Sequence, residues 1–193
     1  MKVLRRAGYR TVPWKNGGGV THEVMRVPAV GDPFDWRISV AQITKSGPFS
    51  DFSGYSRTMV LLSGGGVRLR RAGATDLLLR EPGDLIRFDG ALPLQCDLLH
   101  GECTDLNLMV ANRMGEADVR MERLADEVVL EARRASTRVV FALSGLVRLE
   151  AANGGAEKLQ AWDAAVIDAV EGSLRCLGTG PGMLFVAYLP PDS

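Results

Sequence analysis

The 193-residue chain has little histidine, little cysteine, few aromatic residues and no net charge. Its two histidines, His22 and His100, lie far apart, so a histidine-built transition-metal site is not expected. Its three cysteines, Cys96, Cys103 and Cys176, are too few for a disulfide framework and include no Cys-x-x-Cys pair. They read as small buried residues. Twenty-three basic residues balance 23 acidic ones, which argues against nucleic acid or an anionic membrane as a partner. No apolar run approaches the roughly 20 residues that span a bilayer. Met1-Lys2-Val3-Leu4-Arg5-Arg6 leads into no apolar stretch of the signal-peptide kind, so a cytoplasmic setting is the expectation. No serine or cysteine has an identifiable histidine partner, so no catalytic residue is assigned.

What the chain does have is punctuation. Twenty-two glycines and nine prolines separate short apolar segments, the pattern of an all-β protein. Candidate strands are 34–43, 58–63, 67–71, 76–80, 84–88, 94–99 and 106–110. In the first, Phe34, Trp36, Ile38 and Val40 share one face, while Asp35, Arg37, Ser39 and Ala41 share the other. Gly64-Gly65-Gly66 reads as a hairpin turn between 58–63 and 67–71. Residues 125–134 suit either a short helix or a strand.

The chain also repeats itself. Thr58-Met59-Val60-Leu61-Leu62-Ser63-Gly64 resembles Val139-Val140-Phe141-Ala142-Leu143-Ser144-Gly145. Each is followed by Val-Arg-Leu, at 67–69 and 147–149, and Cys96 and Cys176 keep a similar offset. Two small all-β units follow, with expected bounds 1–112 and 113–193. The polar chemistry is concentrated in the first half.

The run Val12-Pro13-Trp14-Lys15-Asn16-Gly17-Gly18-Gly19-Val20-Thr21-His22-Glu23 is the densest signal. It lacks the ending of a phosphate loop and the spacing of a dinucleotide fingerprint. Its glycines can bring backbone close to a ligand, or simply turn the chain between two strands. Arg37 and Ser39 lie on the polar face of an apolar strand, where a buried arginine needs a carboxylate or an anionic ligand. Arg57 precedes the 58–63 strand, and its planar fork suits a carboxylate. Lys15 and Asn16 can clamp a second carboxylate or a carbonyl, and Trp14 can cover the ligand. Thr21 and Glu23 share a strand face. Thr104, Asp105 and Asn107 form a compact polar set. The expected ligand-binding residues are therefore Trp14, Lys15, Asn16, Gly18, Thr21, Glu23, Arg37, Ser39, Arg57, Thr104, Asp105 and Asn107.

Taken together, these segments resemble the HutD/Ves family of bicupin proteins. The resemblance rests on Pro13 to Thr21, Trp36-Arg37-Ile38-Ser39-Val40-Ala41 and Gly47-Pro48-Phe49-Ser50-Asp51-Phe52-Ser53-Gly54-Tyr55-Ser56-Arg57. Glu81-Pro82-Gly83-Asp84 and Cys103-Thr104-Asp105-Leu106-Asn107-Leu108-Met109 complete it. It implies two cupin-like double-stranded β-helix (jelly-roll) barrels. For the HutD branch it also implies bacterial histidine utilisation, limited by binding a metabolite such as N-formylglutamate. The Ves branch is tied to cold and stress response. Residues 83–95 resemble the second cupin motif without its usual histidine, so no metal and no cofactor is expected. The expected function is non-catalytic binding of a small carboxylate metabolite. The alternative is a metal-independent isomerase, hydrolase or lyase with Glu23 or Asp105 as base. Exposed sheet edges are compatible with a homodimer.

Overall fold

Glycines and prolines end each apolar segment before it can lengthen, and the computed structural model is correspondingly built of strands. It describes residues 1–14, 17–133 and 136–190. Among these residues there is no α-helix, only 3-10 turns at Arg6–Gly8, Asn112–Met114 and Ala169–Glu171. The ambiguous 125–134 segment contributes the strand Glu127–Leu130.

Two units emerge, Arg10–Gly115 and the pair Met1–Tyr9 with Glu116–Ser193. The division thus falls three residues beyond the expected boundary at 112. The first nine residues also belong with the second half, contrary to the expected 1–112 unit. The reason is strand pairing: Lys2–Leu4 adds antiparallel to Ala164–Ile167. Arg5 reinforces it with an ion pair to Asp163 at 3.0 Å.

In the Arg10–Gly115 unit a six-stranded antiparallel sheet runs Arg10–Pro13, Gly19–Val27, Trp36–Ile43, Cys103–Ala111, Tyr55–Gly64, Leu85–Asp89. A four-stranded sheet runs Gly47–Pro48, Leu94–Leu98, Val67–Arg71, Leu77–Leu79. Ile43, Met59 and Leu61 from the first pack with Val67, Leu69 and Cys96 from the second to form the core. Tyr55–Gly64 and Val67–Arg71 lie in different sheets, so Gly64-Gly65-Gly66 is not the turn of a paired hairpin. It carries the chain from one layer to the other. A Cβ on Gly65 would sit 2.0 Å from the His100 carbonyl oxygen, which is why only glycine passes there.

The other unit repeats the plan with a five-stranded and a four-stranded sheet over its own core. The edge strands of every sheet remain edges among the described residues, so each unit is a stack of open sheets rather than a closed cylinder. Both large sheets carry a register shift at a matching place. Between Cys103–Ala111 and Tyr55–Gly64 the shift falls at Thr104/Asp105 and skips Leu62. Between Thr137–Ser144 and Gly182–Leu189 it skips Leu143. This register makes Arg57 the counterpart of Arg138, Asp105 of Leu184, and Asn107 of Val186.

Candidate functional site

Strand alternation places the site. In Cys103–Ala111, Cys103 enters the core, so Asp105, Asn107 and Met109 share its face further along. Register then aligns them with Ala41, Ser39 and Arg37 on one side and with Leu61, Met59 and Arg57 on the other. Where the apolar core stops, this polar face continues into a cavity of about 500 Å³. That size suits a small metabolite.

Eight of the expected residues line this cavity: Trp14, Thr21, Glu23, Arg37, Ser39, Arg57, Asp105 and Asn107. Lys15 and Asn16 lie outside the described residues. Gly18 and Thr104 do not line it. The Gly18 carbonyl instead accepts the Thr44 and Lys45 amides at 3.0 and 3.3 Å. The glycine run is thus a structural turn: Trp14 N–H donates to the Gly19 carbonyl, and a Cβ on Gly19 would lie 2.3 Å from the Gln42 carbonyl oxygen. Thr104 precedes Asp105 in its strand and so points to the opposite face.

Four arginines and two carboxylates face the cavity. Two of the arginines are engaged. Arg10 meets Glu23 at 3.3 Å, and Arg26 meets Asp32 at 2.7 Å and the Gly31 carbonyl. The other two, Arg37 and Arg57, have no ion pair among the described residues. Arg57 is 5% exposed and its guanidinium carbon lies 4.8, 5.3 and 5.0 Å from the ring centroids of Phe49, Phe52 and Phe88. Among the described residues its guanidinium makes one hydrogen bond, a long one of 3.5 Å, to the Ser50 carbonyl. Arg37 lies over Phe34 and Phe52 and donates to the Met109 sulfur. Burial pushes Arg57 down to about 10, with Asp105 opposing and Arg37 adding to the shift. Burial lowers Arg37 as well, while Glu23 holds it up.

Asp105 is the sharpest anomaly. It is 1% exposed and neither carboxylate oxygen has a hydrogen-bond partner among the described residues. Burial raises its carboxyl to about 7 against the pull of Arg57. Among the described residues, Asn107 Oδ1 and the Nε atoms of Arg26, Arg37, Arg57 and Arg138 are likewise buried without partners. Native proteins rarely leave such groups unmet unless a ligand or water meets them.

The internal repeat supplies a control. Arg138, the counterpart of Arg57, is fully buried, yet its guanidinium donates to the Leu130 carbonyl at 2.8 Å and to the Gly172 carbonyl. Asp105 and Asn107 have the apolar counterparts Leu184 and Val186. The second unit gives its arginine two backbone acceptors, leaving only its Nε unmet among the described residues, and fills the rest with hydrocarbon, whereas the first leaves a polar void.

Sequence reasoning missed Arg26, Phe49, Phe52 and Met109. Plain alternation from Glu23 puts Arg26 on the wrong face. A shift between Glu23 and Met25 reverses it, pairing Arg26 with Arg37. The phenylalanines sit in a loop that has no periodicity to read.

The model of the HutD family matches residues 6–186. The chain belongs to the HutD family. This HutD-family chain is 36% identical over 164 residues to an uncharacterized 21.2 kDa protein in the hutC 3′ region of Pseudomonas putida, covering 84% of each. It is 31% identical over 137 residues to protein Ves of Escherichia fergusonii, covering 70% and 69%. Among solved structures, a conserved protein of unknown function from Pseudomonas aeruginosa PAO1 superposes with a TM-score of 0.90 at 34% identity, covering 98% of both chains. HutD from Pseudomonas fluorescens SBW25, in a formate condition, gives 0.79 at 31%, covering 97% and 98%. A cupin 2 conserved barrel domain protein from Leptotrichia buccalis, 10% identical with a TM-score of 0.57, shares the fold alone. The HutD-family chain is therefore an all-β, cupin-like protein.

No three His, Cys, Asp or Glu side chains converge among its described residues. His22 hydrogen-bonds Thr11 at 2.9 Å and does not line the cavity.

Proposed function

We propose that this HutD-family protein is a bicupin that binds a small carboxylate metabolite in the Arg10–Gly115 unit and acts in the regulation of histidine utilisation. One observation carries the reading: Arg57, buried and held among three rings, has no ion pair among the described residues and faces a cavity. A buried cation left alone is costly, and a carboxylate offers its guanidinium two acceptors. Arg37 on the same wall adds a second positive group. Membership of the HutD family supports an association with histidine utilisation, which makes N-formylglutamate the carboxylate to test first.

Titration calorimetry and thermal shift with N-formylglutamate, urocanate and formate test this. Saturable binding that raises the melting temperature, with the acid recovered intact, supports it. No binding by any of them, at ligand concentrations well into the millimolar range, refutes it.

A second reading rests on Asp105, whose carboxyl near 7 is poised to move a proton. On that reading the protein is a metal-independent isomerase, hydrolase or lyase. Consumption of the added acid, abolished by Asp105→Asn, distinguishes it from pure binding.

A further inference from the structure

The two carboxylates that face the cavity are placed differently. Glu23 meets Arg10 at 3.3 Å and shares its row of the sheet with Ser39 and Asn107. Asp105 lies one pleat along, in the row of Ala41 and Thr21, and both its oxygens are buried without partners among the described residues. From Tyr55–Gly64 it faces Arg57, whose charge opposes the effect of burial on its carboxyl. Trp36–Ile43 brings Arg37 to the same cavity, Gly19–Val27 brings Arg26, and Arg26 is held by Asp32. Cys96 from Leu94–Leu98 and Cys103 from its own strand are thiols that burial keeps neutral. Val67–Arg71 and Leu85–Asp89 turn Val67, Leu69 and Phe88 to the core beneath. The ionised state of Asp105 thus leans on Arg57.

An acid that settles on Arg57 removes that support. It takes over the guanidinium, sets a second negative charge near Asp105 and excludes solvent, and all three changes favour the neutral carboxyl. Hydrogen bonding points the same way. An ionised Asp105 has only acceptors to offer a bound carboxylate, whereas a protonated one has an O–H to donate. Two carboxyl groups at one site commonly hold a proton between them. The repeated plan does not call for a charge here, since the matching register position in the second unit is Leu184, part of an apolar core.

We infer that the site takes up a proton with its ligand: as a carboxylate settles on Arg57, Asp105 receives one proton from solvent and donates the resulting O–H to that carboxylate. This rests on the carboxylate reading above and gives the site a pH response. The free carboxyl stands at about 7, so well below that the proton is already in place and affinity is level. Above it the proton must be drawn from water, and affinity falls by up to about tenfold per pH unit.

Calorimetry with N-formylglutamate and with formate, both ionised throughout, tests it. Titrations at pH 8 in two buffers of different ionisation enthalpy count the protons, and should give an uptake of at least about half a proton per acid bound. From pH 7 to 9 the Kd should rise by about tenfold or more. Asp105→Asn should bind with no uptake and with affinity level across that range. Binding without uptake in the wild type, or a level wild-type affinity, overturns the inference and leaves the carboxylate reading standing. Uptake that persists in Asp105→Asn does the same. Infrared difference spectra of the wild type need no variant to fold: read above the amide bands at pH 8, they should show the C=O stretch of a newly protonated carboxyl as the acid binds, and its absence overturns the inference. Failure of both acids to bind overturns both readings.

Discussion

Arg37 and Arg57 hold their guanidinium carbons at the same distance, 5.3 Å, from the centroid of one ring, that of Phe52. Two like charges are thus brought to one aromatic ring beside a cavity. Arg37 adds to the depression of Arg57's charged state, and aromatic contact offsets only part of that cost. The arrangement holds charge at high energy.

Arg57→Met should therefore weaken ligand binding by at least about tenfold, the scale of one charge-assisted contact. The melting temperature should stay level or rise, because a flexible apolar side chain fills the ring cage without burying a lone cation. A large fall in stability would reassign Arg57 to a structural role.

Asp105 should make stability fall as pH rises. Its carboxyl stands near 7 in the folded chain and near 4 when unfolded. Between those values the native state binds the extra proton, so unfolding free energy declines through the window and levels off above about 7. Three pH units correspond to about 4 kcal/mol. Urea titrations from pH 4 to 8 should show the decline in the wild type. They should show much less of it in Asp105→Asn.

Gly65→Ala should destabilise more than Gly17→Ala. Gly17 has a φ of +65° with nothing near its would-be Cβ, so alanine there costs about 1–2 kcal/mol. Gly65 has the His100 carbonyl at 2.0 Å, so the crossover between layers must move, at a cost of roughly 1–3 kcal/mol or more. Paired chemical denaturation measures the difference, and equal losses would contradict the close approach.

The three cysteines should be inert in the folded protein. Cys96, Cys103 and Cys176 are buried and free, and burial pushes each thiol up to about 12. Ellman's reagent at pH 8 should label none within minutes under native conditions and all three in guanidinium. Rapid labelling of a native thiol would show that it is reached without unfolding.

Removal of Met1–Tyr9 should weaken the Glu116–Ser193 portion. It strips Lys2–Leu4 from Ala164–Ile167 and the Tyr9 hydroxyl from the Trp162 carbonyl, a 2.7 Å bond. Pulse proteolysis should cut the shortened chain at lower urea, with fragments mapping beyond residue 116.

Alternation is a property of neighbours, and what depended on it could be read from the chain. It put Arg37 and Ser39 opposite Trp36 and Ile38, and Asp105 and Asn107 opposite Leu106 and Leu108. Composition and glycine spacing carried the all-β class, and the repeated Val-Arg-Leu segments carried the two-unit plan. Three things escaped because distant partners set them. The shift at Glu23/Met25 turns Arg26 into the cavity, an event visible only once Trp36–Ile43 is alongside. Gly64-Gly65-Gly66 looks like a hairpin, yet pairing with other strands sends its two arms into separate layers. Met1–Tyr9 joins the unit farther along the chain because an open edge at Ala164–Ile167 takes it in. The same holds for the site. Its residue types were written locally, but the unmet state of Asp105, Arg37 and Arg57 arises from which side chains folding brings near them, and no local pattern encodes that.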